Sequence, residues 1–288
     1  MVSHISSLGH LLCSLFLRII TIKKHLSIRV IKTATEFEDF ATKAMVEENW
    51  RPGLKDAECY FACDPTCGFV GEVNGKPVGC VTLTKYGDTF GLIGCYIVSK
   101  EHRGKGYGKA IFDAALSSVK PSRLLALAAL SHLEKMYQKS GFESVFYGTR
   151  FDLHLPTAVE CLSDILLDSL LSIKCLEEVD WKTLLAYDSQ VFGFPRHAFL
   201  SKWLCAQGSH TLVAVSNESS VVGYVVVRPT FIKQDGFKIG PLFADSEPIA
   251  EMLLKTVFKS VFFSKGSSNN QYQSFVLTPS QKKENSLL

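Results

Sequence analysis

Cys95-Tyr96-Ile97-Val98-Ser99-Lys100-Glu101-His102-Arg103-Gly104-Lys105-Gly106-Tyr107-Gly108-Lys109-Ala110 is the stretch on which the reading of this chain turns. An apolar run suited to a central strand, Phe90 to Val98, enters a Gly-rich turn. Ile111 to Val119 follows, with Phe112, Ala115, Leu116 and Val119 on one helical face. The first turn of a helix leaves backbone N–H groups without partners, and the helix dipole makes that end favourable for an anion. Glycines at 104, 106 and 108 let the backbone approach a diphosphate, and Arg103, Lys105 and Lys109 add positive charge. Spacing separates the known anion loops. A Walker A loop fails twice, because position 103 is Arg and Ala110 follows Lys109. A dinucleotide fingerprint fails at position 109, which is Lys. What remains is Arg-x-x-Gly-x-Gly, Arg103 to Gly108, set between a strand and a helix; the bland alternative is a turn without a ligand.

Working outward, Leu26 to Ile31 reads as a short strand, and Thr35 to Glu38 has the spacing of a capping box opening a helix. Phe37, Phe40, Ala41 and Ala44 stripe that helix, which ends near Asn49 ahead of Pro52-Gly53. Asn74-Gly75 joins two strand-like runs, Cys67 to Val73 and Pro77 to Lys85, as a hairpin. Beyond the loop, Arg123 to Ala129 reads as a strand, Ser131 to Lys139 as a helix, and Val145 to Leu153 as a closing strand. The order β, α, three strands, α, β, α, β predicts an α/β (α+β) fold, a mixed central sheet flanked by helices.

The second half repeats part of that order. Leu171 to Leu176, Thr211 to Val215, Val221 to Arg228, Phe237 to Phe243 and Tyr272 to Leu277 are strand-like; Trp181 to Val191 is helical, and Ser246 opens a helix carrying Leu253, Val257 and Val261 on one face. The expected organisation is an N-terminal extension (1–25), a first domain (26–153), a linker helix (154–170), a degenerate second copy (171–279) and a polar tail (280–288).

Two motifs together resemble the GNAT superfamily of acyl-CoA N-acyltransferases: Ile97-Val98 with Arg103 to Gly108, and downstream Tyr137-Gln138-Lys139-Ser140-Gly141-Phe142. More narrowly, Asn49-Trp50-Arg51-Pro52-Gly53, Asp64-Pro65, Lys85 to Phe90, Tyr187-Asp188, Val191-Phe192-Gly193, Arg228-Pro229 and Ile239 to Leu242 are similar to a tandem GNAT family. The resemblance implies that acetyl-CoA, or another acyl-CoA, is the co-substrate. Its pantetheine arm would pair with the backbone of Ile97 and Val98, and its diphosphate would lie on Arg103, Gly104, Lys105, Gly106, Tyr107 and Gly108, with Lys109 beside it. It also implies direct attack on the thioester by the amine of a small-molecule or amino-acid-like acceptor, with Tyr137 as general acid.

The chain departs from the family pattern in two places. Leu124 to Leu130 is apolar where polar and glycine residues are expected, and Met136 stands before Tyr137 where Asn is expected; this points to a changed acceptor pocket or to acyl-CoA binding without transfer. In the second copy, Phe237 to Phe243 runs into Ala244-Asp245-Ser246-Glu247-Pro248, which lacks the Gly-rich loop and would repel a diphosphate. The strand Phe90 to Val98 carries no acid, so Asp88, Glu72, Glu58 and His132 are the nearest candidate bases by element order. Gly193, Arg196 and His197 are candidate pocket residues of the second copy.

Composition bounds the rest. A net charge of +3 gives no case for nucleic acid. Nine cysteines scattered through apolar segments read as reduced thiols, and Cys59, Cys63 and Cys67 lack the closer pairs and fourth ligand of a zinc site. Leu11 to Ile22 is broken by Arg18 and too short for stable membrane insertion. The absence of any acidic residue before Glu36 fits an organelle presequence, so the expected location is the cytoplasm or, through that leader, the mitochondrion.

Overall fold

The computed structural model describes residues 26–154, 157, 160, 171–263 and 273–282. The N-terminal extension, all but a few residues of the expected linker helix and the last six residues lie outside the described residues. By Cα proximity the chain divides into two units, one of residues 1–48 and 64–128, the other of residues 49–63 and 129–288.

The first unit is built on a five-stranded sheet. Its strands are β1 (Leu26–Val30), β2 (Gly68–Val73), β3 (Lys76–Tyr86), β4 (Phe90–Val98) and β5 (Leu124–Leu127), in that spatial order. All neighbours are antiparallel except β4 and β5, which run parallel. The β2–β3 hairpin turns on Asn74 (φ 52°) and Gly75 (φ 73°), the two left-handed positions that this residue pair supplies. The first helix, α1, runs from Ala34–Phe37 through a π-helical segment, Glu38–Thr42, into Lys43–Glu47. Its cap is Thr33 rather than the expected Thr35. The Thr33 hydroxyl accepts from the Glu36 N–H at 3.1 Å, and Glu36 reaches back to the Lys32 N–H at 2.7 Å. Thr33 and Glu36 have the same three-residue spacing as Thr35 and Glu38, so spacing alone could not choose between them. Leu83, Val81, Phe37 and Ile111 are fully buried in this unit.

The second unit carries a six-stranded sheet. In sequence order its elements are α2 (Asp56–Cys63), α4 (Glu134–Gln138), β6 (Phe146–His154), β7 (Leu171–Cys175), α5 (Trp181–Phe192), α6 (His197–Leu204), β8 (His210–Ser216), β9 (Val221–Pro229), β10 (Phe237–Ala244), α7 (Glu247–Phe263) and β11 (Gln273–Lys282); the helix between β4 and β5 in the first unit is α3 (Tyr107–Leu116). The spatial order is β6-β11-β10-β9-β8-β7, with β10 and β11 parallel and the other pairs antiparallel. Leu253, Val257, Phe258 and Val261 of α7 pack on Leu212, Ala214, Val225, Val227 and Ile239. Each such buried aliphatic contributes roughly 1.5–3 kcal/mol relative to exposure.

The two sheets repeat one device. Between Cys80 and Thr82 of β3, β4 advances from Ile97 to Gly94, one residue more; between Val227 and Val225 of β9, β10 advances from Ile239 to Leu242, again one more. Each unit therefore holds a bulged strand that is antiparallel to one neighbour and parallel to the other. Sequence copy and contact unit do not coincide. Segments 49–63 and 129–153 pack in the second unit, and the strand expected to close the first sheet, β6, pairs instead with β11. Strand β11 also continues through Lys282, so residues 280–282 of the expected polar tail are sheet.

Candidate active site

The parallel pairing of β4 with β5 stops at Ile93 and Leu127, while β4 continues beside β3 to Val98. Among the described residues, no strand pairs with the other edge of β4 from Gly94 to Val98. The bulge sits at the start of this open edge, where Cys95 takes φ 47°. Gly94 signals it in the sequence, since a glycine inside a strand pattern marks such a bulge. Ile97 has its side chain buried at 4%, which leaves its backbone as the part able to meet a ligand.

A 3-10 turn, Lys100–His102, carries the chain from β4 into the loop. Arg103 N–H bonds the Lys100 carbonyl at 3.3 Å, and Ala110 N–H bonds the Gly106 carbonyl at 3.1 Å. Among the described residues, the N–H groups of Gly104, Lys105, Gly106, Tyr107, Gly108 and Lys109 take no acceptor outside the helix ladder. Gly104 and Gly106 stand at φ 73° and 83°, and Gly106 is the N-cap of α3. Backbone N–H groups set in this way at a helix start suit an anion. Gly108 serves a different need: a Cβ there would stand 2.6 Å from Tyr96 Oη and 3.0 Å from Val98 Cγ2, so glycine lets α3 lie against β4.

The basic side chains do not stand free around these N–H groups. Arg103 Nε donates to the Val98 carbonyl at 2.8 Å, and its Nη2 meets Glu48 Oε1 at 2.6 Å. Lys105 Nζ donates to the Glu101 carbonyl at 2.7 Å, and Lys109 Nζ reaches Asp113 at 2.6 Å. These are exposed contacts, and beside them lie the backbone amides of the loop. Glu48 carried no sequence signal, being one of two adjacent acids, Glu47 and Glu48, at the end of α1.

Tyr137 lies on α4, in the second unit. Its ring meets Phe142 edge-on at 6.1 Å, its carbonyl accepts from Ser140 and Phe142, and Gly141 turns the chain at φ 88°. Burial raises its pKa above the ordinary phenol value. Of the candidate bases, Glu72 is paired with Arg29 at 2.6 Å and Glu58 with Lys55 at 2.6 Å. Asp88 is exposed in the turn before Phe90, at the far end of β4 from the loop, and His132 is exposed. The apolar run is largely exposed instead of buried: Leu124 is 60% and Leu130 50% accessible.

In the second unit the counterpart of the loop is acidic. Asp245 accepts from Tyr187 Oη at 2.9 Å, and Glu247 opens α7. Arg196 is a core strut and not a pocket residue. It is buried, bonds Asp188 through Nε (2.9 Å) and Nη2 (2.7 Å), and stacks on Phe192 at 3.8 Å. Gly193 ends α5 at φ 89°. His197 begins α6 with its ring nitrogen 3.5 Å from Ser189 Oγ. Cys59 is buried in α2, which pushes its thiol up to about 12. Among the described residues no helix is long and apolar enough to cross a membrane.

A sequence profile described as the Acetyltransferase (GNAT) family matches residues 31–142, and one described as the Acetyltransferase (GNAT) domain matches residues 184–262. The chain belongs to the GNAT superfamily. It is a tandem GNAT protein, and the family's acyl transfer, generally from acyl-CoA, is the chemistry to which it is related. It is 29% identical over 220 residues to the holothin acyltransferase of Pseudoalteromonas sp. (strain SANK 73390), a match covering 75% of this chain and 69% of that protein. The fold is shared with a solved tandem GNAT protein from the clavulanic acid biosynthesis pathway, at TM-score 0.62 and 13% identity over 90% of this chain and 91% of that one. It is shared also with a Pyrococcus horikoshii protein, at TM-score 0.65 and 20% identity over 88% of this chain and 80% of that one.

Proposed function

We propose that this GNAT chain is an acyl-CoA-dependent N-acyltransferase that moves an acetyl or other short acyl group to the amine of a small-molecule or amino-acid-like acceptor. The observation that carries the reading is the run of N–H groups from Gly104 to Lys109 at the start of α3, beside the open edge of β4. The run would hold the diphosphate, and the edge from Gly94 to Val98, including Ile97 and Val98, would pair with the pantetheine amides. The neutral amine attacks the thioester carbonyl directly, a C–N bond forms as the C–S bond breaks, the nitrogen gives up one proton to solvent, and CoA leaves as a thiolate that takes one proton. Tyr137 is our candidate for that acid; burial raises its pKa, so it is a phenol, not a phenolate, at neutral pH, and its proton must be replaced after each turnover.

The test is calorimetric titration with acetyl-CoA of the wild type, Gly104→Asn and Gly104→Asp. Both side chains tolerate the left-handed backbone, so the pair isolates the added charge. Gly104→Asp loses at least about tenfold in affinity relative to Gly104→Asn if a diphosphate sits there; equal affinities would sink the reading. Release of free CoA thiol that requires an amine, and that falls in Tyr137→Phe, completes it. The exposed Leu124 and Leu130 favour a second reading, acyl-CoA binding without transfer. Binding with no thiol release across a panel of amines would select that one.

A further inference from the structure

An edge strand presents N–H and C=O groups that another chain can pair with, and proteins blunt such edges by shortness, lysine, proline, bulges or a covering element. In the second unit the sheet ends on β7 at one side and on β6 at the other. Strand β7 is blunted: it is five residues long and carries Lys174. Strand β6 is not. It is nine residues long, holds neither lysine nor proline, and pairs with β11 from Tyr147 to His154 without a register shift. Nor is it covered. Gly148, whose surface is all main chain, is exposed, and so are Phe146 (58%) and Phe151 (46%). Among the described residues no strand pairs with its outer edge.

The charges on β6 do not defend it against a copy of itself. Arg150 and Asp152 are of opposite sign and two positions apart, so they share one face of the strand, with Phe151 on the other. Residues opposite each other in an antiparallel pair share a face, so two copies of β6 related by a two-fold axis can meet only in registers that match residues of like parity. With the axis at Phe151, Arg150 of each copy stands opposite Asp152 of the other, and Phe151 meets Phe151. An axis at Arg150 sets that arginine against itself, and an axis at Asp152 does the same to the carboxylate. An axis at Thr149 sets Asp152 against the exposed Phe146. Opposite charges and paired aromatics stabilise a ladder when directly opposite, and like charges weaken it. The register about Phe151 satisfies both faces, and the others do not.

We propose that β6 is a docking edge for a second copy of this chain, pairing antiparallel with its counterpart about a two-fold axis at Phe151. The contact joins two six-stranded sheets into one and is the same surface on both protomers. The side chains of Arg150 and Asp152 are 37% and 51% accessible, which leaves both able to reach across the axis. The inference does not depend on the transfer reaction proposed above.

The experiment is sedimentation equilibrium of the full chain over a range of concentrations, for wild type, Arg150→Asp, Asp152→Arg and an equimolar mixture of the two variants. The wild type is expected to show a monomer–dimer equilibrium. Each variant alone should dimerise at least about tenfold more weakly, because like charges then face each other across the axis. The mixture should return to within about threefold of wild type, because each variant supplies the charge the other needs. Arg150→Asp also breaks the bond from Arg150 to the Asn49 carbonyl, and the mixture separates that local loss from the interface, since it restores only the cross-strand charges. A wild type that stays monomeric up to about 1 mM would overturn the proposal. So would dimers of equal strength in all samples, or a mixture no stronger than its components. Should a variant fail to fold, amide hydrogen exchange on the wild type decides: alternate amides from Gly148 to His154 gain protection as concentration rises, and protection that ignores concentration would overturn the pairing.

Discussion

The Arg103 guanidinium spans from the Val98 carbonyl to the Glu48 carboxylate, joining the end of β4 to the end of α1 across the first unit. The residue that opens the Gly-rich motif is therefore a strut for the open edge of β4. Its side chain is 47% accessible and that of Glu48 25%, so the pair itself contributes no more than about 1 kcal/mol to stability. We expect Glu48→Gln to leave the unfolding midpoint nearly unchanged. The same change removes a carboxylate from beside the loop and should tighten acetyl-CoA binding a few-fold at low salt, an effect that fades toward about 1 M salt. Calorimetry at two ionic strengths reads it.

Gly108 and Tyr96 are a contact pair. Gly108→Ala is expected to cost about 1–3 kcal/mol through overpacking against the Tyr96 hydroxyl and Val98. Tyr96→Phe removes the nearest of the atoms in the way. The double variant should recover part of the loss, and a double-mutant cycle by urea unfolding measures how much. Additive losses would mean that the helix shifts away from β4 instead.

Asp56 links stability to pH. Burial alone would raise its pKa, but Arg228, Lys238 and the Gly53 N–H together hold it below the usual value of 3.8. A carboxyl depressed in the folded state stabilises above its unfolded pKa, and that stability is lost as pH falls toward the folded value. The melting temperature of the wild type should therefore drop below about pH 4. Asp56→Asn should be less stable by about 3–5 kcal/mol at neutral pH, since it leaves Arg228 buried and uncompensated. Its melting temperature should fall less steeply over the acid range.

Leu124 lies on β5, the edge strand of the first sheet, with its side chain 60% accessible. An apolar edge invites pairing with other chains. Leu124→Lys should reduce concentration-dependent association in light scattering while changing stability by no more than about 0.5 kcal/mol.

The local grammar of the chain was legible. Asn74-Gly75, the run from Arg103 to Gly108 and the stripe on α7 each name their element because turn chemistry and periodicity are local. Two helices, α2 and α6, escaped notice. They pack on each other through Tyr60, Phe199 and Trp203, and in α6 the buried stripe Phe199, Leu200, Trp203 and Leu204 has helical spacing, so this helix was legible and was passed over. The partner of β6 could not be read at all. A strand pattern says which face is apolar and nothing of which distant strand lies beside it. The candidate site divided in the same way. Glycine spacing marked the run of backbone amides, whereas the partners of Arg103, Lys105 and Lys109 depend on where side chains fold back.

The pairing of His154 with Gln273, and of the strands that follow from it, makes the two halves of the chain hostages to each other. The sheet holding β6 cannot close until β11, more than a hundred residues later in the chain, has been made, so this edge waits for a partner distant in sequence. A gene split in the segment between β6 and β7 would yield one fragment with a strand to donate and another with a slot to fill. Such fragments should recognise one another. Neither half can be removed without leaving β6 or β11 short of a partner strand.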